Sequence, residues 1–414
     1  MNHFDYRNGE FHAEAVPLAR IAQQYGTPCF VYSRAALTEA YRGYDTAFAG
    51  TDHLVCYAVK ANSSLAVLNL FARLGSGFDI VSGGELARVL AAGGDPRKIV
   101  FSGVGKSEEE MRQALAAGIL CFNVESESEL ARLGRIASET GTTAAVSLRI
   151  NPDIDPRTHP YIATGLKESK FGVPYGEALA LYRRARALPH IAIAGVGCHI
   201  GSQITELAPF VAALDRTLEL ADRLRAEGMA VAHIDMGGGL GIRYRDESPP
   251  AVADYARALT ERLGSRPVKL FLEPGRSLVG HAGLLLTRVE YLKHGAGRNF
   301  AVVDAAMNDL IRPALYDAFH EVLPVTRRTG DAIAYDVVGP VCETGDFLAS
   351  ERKLAVVEGD LLAIMAAGAY GMSMSSNYNT RPRAAEVVAD GGVTHVTRSR
   401  ETVSDLMARE IMLP

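Results

Sequence analysis

Eight short apolar, β-branched runs, spaced by stretches of helical periodicity, constrain the fold of this chain most. They read LVCYAV (54–59), GFDIV (77–81), KIVFS (98–102), LCFNV (120–124), AAVSLRI (144–150), AGVGCHI (194–200), AHIDM (232–236) and VKLFLE (268–273). Between them, Leu65, Leu68 and Phe71 recur at threes in SSLAVLNLFARLG, with Val67 and Leu70 beside them. GELARVLAAG, SELARLGRIAS and FVAALDRTLELADRLRAEG behave similarly. Short buried strands alternating with helices mean parallel βαβ units. Eight in one unbroken series predict an α/β fold built on a closed (β/α)8 TIM-like barrel. The alternative is an open doubly wound sheet. The barrel is preferred because polar, glycine-rich signals follow nearly every strand.

After about Gly280 the pattern changes. GLLLTRVEYLK, NFAVVDAAM, AIAYDVVGPV, KLAVVEGDLLAIM, AAEVVAD and THVTR are strand-like, with few helices between them. This predicts a mainly antiparallel β domain. The expected division is a barrel over 35–280 and a β domain made of 1–34 and 281–414, with the early run CFVYS joining the later strands. No linker, tandem repeat or low-complexity segment interrupts the chain.

Composition narrows the function classes. Of 414 residues 48% are hydrophobic, which is ample apolar surface to offset the entropy of ordering. A net charge of −5 argues against nucleic acid as the main partner, because phosphate binding needs a concentrated basic face. The five cysteines, Cys29, Cys56, Cys121, Cys198 and Cys342, are odd in number, widely spaced and without a CxxC pair. Neither a disulfide framework nor a metal site is expected, and a reducing cytoplasm fits best. MNHFDYRNGE has no apolar core of a signal peptide, and no run approaches a membrane span, so no membrane partner is expected.

In a (β/α)8 barrel the chemistry sits at the C-terminal strand ends. Lys60 follows the first strand in YAVKAN. Partial desolvation there favours a neutral, nucleophilic amine, although a lysine snorkelling to the rim is the plainer reading. Asp79 ends the second strand and alone decides nothing. His199 ends the sixth, before Gly201 and Ser202. Gly237-Gly238-Gly239-Leu240-Gly241 follows the seventh, where barrels often bind phosphate. Its late position counts against a dinucleotide fingerprint. Glu273-Pro274-Gly275-Arg276 follows the eighth: a carboxylate, then a fork for an anionic group. A lysine nucleophile, a phosphate cradle, a stacking histidine and a carboxylate on one rim suit pyridoxal 5'-phosphate.

These residues resemble the fold-type III pyridoxal-phosphate decarboxylases, the alanine-racemase-like barrel group, and within it the diaminopimelate decarboxylase family. The resemblance runs nearly end to end. It is carried by YAVKAN (57–62), GFDIVSGGEL (77–86), CHIGSQ (198–203), DMGGGLG (235–241), EPGRS (273–277), IRPALY (311–316), GPVCETGDFL (339–348) and GAYGMSMSSNYNTRPR (368–383). It implies decarboxylation of meso-2,6-diaminopimelate to L-lysine and carbon dioxide, the last step of bacterial lysine synthesis. It implies that Lys60 carries the Schiff base, that His199 stacks on the pyridine ring and that Glu273 pairs with the ring nitrogen. Asp79, Ser202, Gly238, Gly239, Gly275, Arg276 and Tyr370 complete the cofactor set. Arg276, Arg312, Tyr316 and Tyr370 would hold substrate carboxylates, Glu343 the distal ammonium, and Cys342 would donate the proton. The resemblance further implies a homodimer with active sites shared between subunits.

For the later residues the plainer readings stand beside these: a buried apolar cysteine for Cys342, a surface aromatic for Tyr370, a helix cap for Arg312. The competing functions are a relative acting on ornithine, arginine or carboxynorspermidine, an alanine-racemase-type enzyme, and a non-catalytic cofactor-binding protein. Arg312 and Tyr316 beside Glu343 favour a substrate whose far end carries both a carboxylate and an ammonium. Both Lys60 and Cys342 are present, which an inactive homologue tends to lose.

Overall fold

The computed structural model describes residues 3–155 and 170–414. The chain divides into two compact units, one of 40–242 with 248–277, the other of 1–39, 243–247 and 278–414.

The first unit is a closed barrel of eight parallel strands. In order they are His53–Ala58, Gly77–Ile80, Ile99–Phe101, Cys121–Val124, Ala144–Asn151, Ile191–Cys198, His233–Asp235 and Lys269–Leu272. Each pairs in parallel with the next, and the last pairs with the first through Leu270↔His53 and Leu272↔Val55. Every run expected as a barrel strand is one, and closure excludes the open sheet. A two-residue strand, Val173–Pro174, adds to the end of the fifth, which the sequence did not announce.

Three of the intervening helices start on the same device. Ser82, Ser107 and Ser126 each accept the backbone N–H of the glutamate three residues on. Glu110 completes a capping box by reaching back to the Ser107 N–H. Glu85 and Glu129 reach one residue further, to the N–H of Val81 and Glu125. These carboxylates therefore tie each helix start to the strand end that precedes it, where orphan amides need acceptors. One helix face departs from expectation. In Leu65–Arg73 the buried residues are Val67, Leu68 and Phe71, whereas Leu65 is 46% exposed. The helix begins at Leu65, and that first-turn residue falls off the apolar stripe.

The barrel base is tightly packed. Cys56, Val100, Cys121 and Phe271 form a buried cluster. His233 stacks on Phe271 at 4.1 Å, and Gly195 must be glycine because a Cβ there would lie 2.2 Å from His233 Nε2.

The second unit is centred on the long strand Gly283–His294. It pairs antiparallel with Asn299–Val303, Leu361–Ile364 and the early strand Cys29–Ser33. Cys29–Ser33 also pairs in parallel with Ala385–Asp390, and Asn299–Val303 in parallel with Ile333–Val338. The sheet is therefore mostly antiparallel with two parallel joints. Phe4–Arg7, Glu10–Ala13 and Val16–Pro17 form a small separate sheet that the sequence reading did not foresee. No helix among the described residues is long and apolar enough to cross a membrane.

Candidate active site

The C-terminal rim of the barrel encloses a cavity of about 440 Å³ whose lining includes Lys60, Asn123, Arg149, His199, Asp235 and Glu273. Lys60 sits in a tight turn directly after the first strand. Its Nζ lies 2.7 Å from Oδ2 of Asp79, a carboxylate with no solvent exposure. Asp79 Oδ1 has no hydrogen-bond partner, an unsatisfied acceptor buried beside the lysine.

His199 is neutral. Burial, with the cations Arg149 and Lys60 nearby, pushes its imidazole well below the ordinary range. The Gly238 N–H donates to His199 Nδ1 at 3.1 Å, so the ring proton must sit on Nε2. The glycine run thus has a role beyond the one its sequence suggested. A Cβ on Gly238 would lie 2.1 Å from the Glu273 carbonyl oxygen, and one on Gly239 2.5 Å from the Gly201 oxygen. Glycine lets the seventh loop lie directly on the sixth and eighth, and the Gly238 N–H is spent on the histidine.

Next to it Arg276 Nη2 donates to Ser202 Oγ at 3.1 Å. Gln203, at a positive φ of 59°, bonds both the carbonyl and the N–H of Ile242 and so fixes the loop that carries Ser202. Gly275 packs against Ala58 and Ala61 so closely that a Cβ would stand 3.0 Å from Ala61 Cβ. A guanidinium, a hydroxyl and closely apposed glycine backbone form a corner suited to a phosphate.

Glu273 is buried directly after the eighth strand. Burial first, then Asp235 and Asp79, pushes its carboxyl well above the usual carboxylate range. Glu85 is likewise raised, to about 7, chiefly by burial. The rim is braced by Lys106, whose buried Nζ contacts Glu129 at 2.7 Å and the carbonyls of Gly103 and Asn123. Arg149 pairs with Glu125 at 3.2 Å.

The other expected site residues belong to the second unit. Arg312 and Tyr316 open and close a one-turn helix, on one face at i and i+4. Arg312 is buried, lies over the Tyr244 ring at 4.6 Å and donates from Nη1 to His320 Nε2 at 3.0 Å. His320 Nδ1 in turn donates to the Met365 carbonyl at 2.7 Å, which fixes the tautomer. Tyr370 holds a left-handed φ of 56°, a costly conformation for a tyrosine. Cys342 is the exposed one of the five free cysteines; the other four are buried. Its N–H donates to Asn379 Oδ1, and the adjacent Glu343 accepts from the Tyr378 hydroxyl.

The expected residues therefore fall into two groups. Lys60, Asp79, His199, Ser202, Gly238, Gly239, Glu273, Gly275 and Arg276 belong to the barrel unit. Arg312, Tyr316, Cys342, Glu343 and Tyr370 belong to the β unit. Sequence reasoning missed Glu85, Asn123, Arg149, Asp235, Tyr244, His320 and Tyr378. Asn123, Arg149 and Asp235 stand at or near strand ends, and Glu85 lies three residues after the helix-capping Ser82, so these four carried a local signal; Tyr244, His320 and Tyr378 have none. Among the described residues no His, Cys, Asp or Glu group could hold a metal ion.

The rim fits pyridoxal 5'-phosphate on its own chemistry: an amine at a strand end, a buried acid, a neutral imidazole and a phosphate corner. The model of the pyridoxal-dependent decarboxylase pyridoxal-binding domain matches residues 34–280. Diaminopimelate decarboxylase of Pseudomonas aeruginosa is 62% identical over 414 residues, covering all of both chains. That of Vibrio cholerae is 58% identical, again over both full lengths. The crystal structure of Helicobacter pylori diaminopimelate decarboxylase complexed with L-lysine superposes with a TM-score of 0.92 at 43% identity, covering 94% of this chain and 98% of that one. The M. jannaschii enzyme in co-complex with L-lysine gives 0.95 at 38%, covering 99% and 98%.

Proposed function

Because this chain belongs to the diaminopimelate decarboxylase family, we propose that the residues of its two units divide the steps of one decarboxylation. The reaction converts meso-2,6-diaminopimelate to L-lysine and carbon dioxide with pyridoxal 5'-phosphate, as the last step of lysine biosynthesis. The observation that carries the assignment of roles is the convergence of Lys60, His199 and Glu273 on one barrel-rim cavity.

When bound, the cofactor supplies an electron-withdrawing ring that accepts the electron pair left by departing carbon dioxide. The chain supplies everything that directs it. Lys60 offers the amine that holds the cofactor and is exchanged for the substrate's. Glu273 keeps a proton available at the ring nitrogen. His199, neutral and fixed by Gly238, presents its ring face without adding a positive charge. Ser202, Gly239, Gly275 and Arg276 hold the phosphate, with Tyr370 and Asp79 beside the cofactor.

In the β unit Arg312 and Tyr316 grip a substrate carboxylate, and Glu343 takes the distal ammonium. Holding the substrate at both ends sets which bond at the reacting carbon stands perpendicular to the ring, and so which bond breaks. Cys342 then returns a proton to that carbon from its thiol. Its exposure supports this reading, since a donor must reach the substrate.

The assembly we infer is a homodimer in which Lys60 works with the partner's Cys342 and the partner's Glu343. Five free cysteines support a reducing, cytoplasmic setting. The deciding experiment is incubation with pyridoxal 5'-phosphate and meso-diaminopimelate, then detection of L-lysine and carbon dioxide. Carbon dioxide release from ornithine in preference to diaminopimelate would overturn the substrate assignment.

A further inference from the structure

Glu273 shares its pocket with a second carboxyl group. Asn123 Nδ2 stands 3.0 Å from Asp235 Oδ2, 3.1 Å from Ser102 Oγ and 3.3 Å from Glu273 Oε1, so one amide lies within reach of both carboxyl groups. Asn123, Asp235 and Glu273 are 4%, 2% and 7% exposed. Two carboxylates this close and this dry do not both ionise without a cation between them. The nearby cation, Lys60, is bound to Asp79, and Arg149 is bound to Glu125. The thiols of Cys56 and Cys121 also face the pair, and burial keeps both protonated. His199, directly after the sixth strand, is neutral.

The donors are shared unequally. Asp235 accepts the Gly237 N–H on Oδ1 at 2.8 Å as well as the nearer Asn123 contact. Glu273 has the longer Asn123 contact. Asp235 is therefore the better-supported carboxylate, and Glu273 is the acid that donates to it.

We propose that Asp235 and Glu273 share a single proton in the cofactor-free chain, clamped by Asn123, and that this proton is the one the cofactor's ring nitrogen takes. The O–H bond of Glu273 breaks, the N–H bond forms, and both carboxyl groups end ionised against the ring cation. No proton is drawn from solvent. Asp235 acts through Glu273; it is a positioning residue that decides where the proton waits. The transfer rests on the reading of Glu273 as the ring-nitrogen partner, whereas the shared proton does not.

Isotope-edited infrared spectroscopy of the cofactor-free, full-length chain tests the pair directly. With carboxyl-labelled glutamate, the wild type should show protonated-glutamate absorption at neutral pH, and Glu273→Gln should remove the band that remains in Glu85→Gln, since Glu85 is itself raised to about 7. In Asp235→Asn the band should titrate away at lower pH, because the neighbouring negative charge is gone. No band in the wild type, or a band unmoved by Glu273→Gln, overturns the proposal even if Asp235→Asn fails to fold. An unchanged midpoint in a folded Asp235→Asn does the same. The transfer is read by calorimetry of pyridoxal phosphate binding in buffers of different ionisation enthalpy. Between the two midpoints, Asp235→Asn should take up about one more proton per site than the wild type. Equal uptake with the band confirmed overturns the transfer, and with it the ring-nitrogen reading, while the shared proton stands.

Discussion

Lys60 and Asp79 are joined by a 2.7 Å ion pair whose acidic member is fully buried. They meet because the first and second barrel strands register Ala58 opposite Asp79, two residues before the lysine. The carboxylate holds the lysine head at the strand end, and the amine must leave this pairing before it can attack a carbonyl. Borohydride reduction of the cofactor-loaded protein, followed by peptide mapping, should place the label on Lys60. Lys60→Ala should lose both label and activity; a label on another lysine would refute the assignment.

Glu85 makes stability depend on pH. Its folded-state pKa is about 7 against an ordinary 4.5, mainly through burial. A carboxyl raised on folding binds its proton more tightly in the native state. Stability is therefore lost as pH rises from the lower value through the upper, and the full cost persists above it. Glu85→Gln should flatten this slope. Urea unfolding at about pH 5 and about pH 8 checks it, with the wild type losing more stability than the variant.

Lys106 and Glu129 test the bracing of the rim. Both are buried and paired at 2.7 Å. Lys106→Met leaves an uncompensated buried carboxylate and should cost about 3–5 kcal/mol in denaturant unfolding. Adding Glu129→Gln should recover part of that loss. An additive double variant would show that the two charges do not depend on each other.

Arg312 tests substrate recognition. If it grips a desolvated carboxylate, Arg312→Ala should weaken substrate binding by about 2–5 kcal/mol. His320→Ala removes the acceptor that orients Arg312 and should raise KM in the same direction by less. The enzyme should act on the D-configured centre and require the distal L-amino acid group. Unchanged KM for meso-diaminopimelate in Arg312→Ala would remove the residue from the site.

Subunit mixing tests the shared active site. Homodimers of Lys60→Ala and of Cys342→Ala should each be nearly inactive. A mixed dimer puts both lesions in one site and leaves the other intact. Equal random remixing should restore roughly a quarter of wild-type activity, since about half the dimers are mixed and each has one good site of two. If both residues served the same chain's site, mixing would restore nothing.

The barrel was legible because its signal is local. An apolar, β-branched run of five to seven residues bounded by polar, glycine-rich loops and repeated eight times is readable without any long-range contact. The residues at strand ends follow from the count, which is what singles out Lys60, His199 and Glu273 as candidates. Leu65 was misplaced because a helix face depends on where the helix starts, and an exposed first-turn residue looks apolar in sequence. Tyr244, His320 and Tyr378 gave no signal, since their value lies in partners that are distant along the chain.

The sequence by itself determined the eight strands, the change to a β-rich remainder, and the residue types offered at the rim. Those follow from side-chain periodicity and turn chemistry, which act over a few neighbouring residues. Only the tertiary structure decided that Asn123, Asp235 and Glu273 share one hydrogen-bonded pocket. It also decided that the Gly238 N–H fixes the tautomer of His199. Barrel closure brings strands four, seven and eight around one axis and removes their polar ends from water. Protonation state and hydrogen-bond direction are set by that enclosure, and no local stretch of sequence carries it.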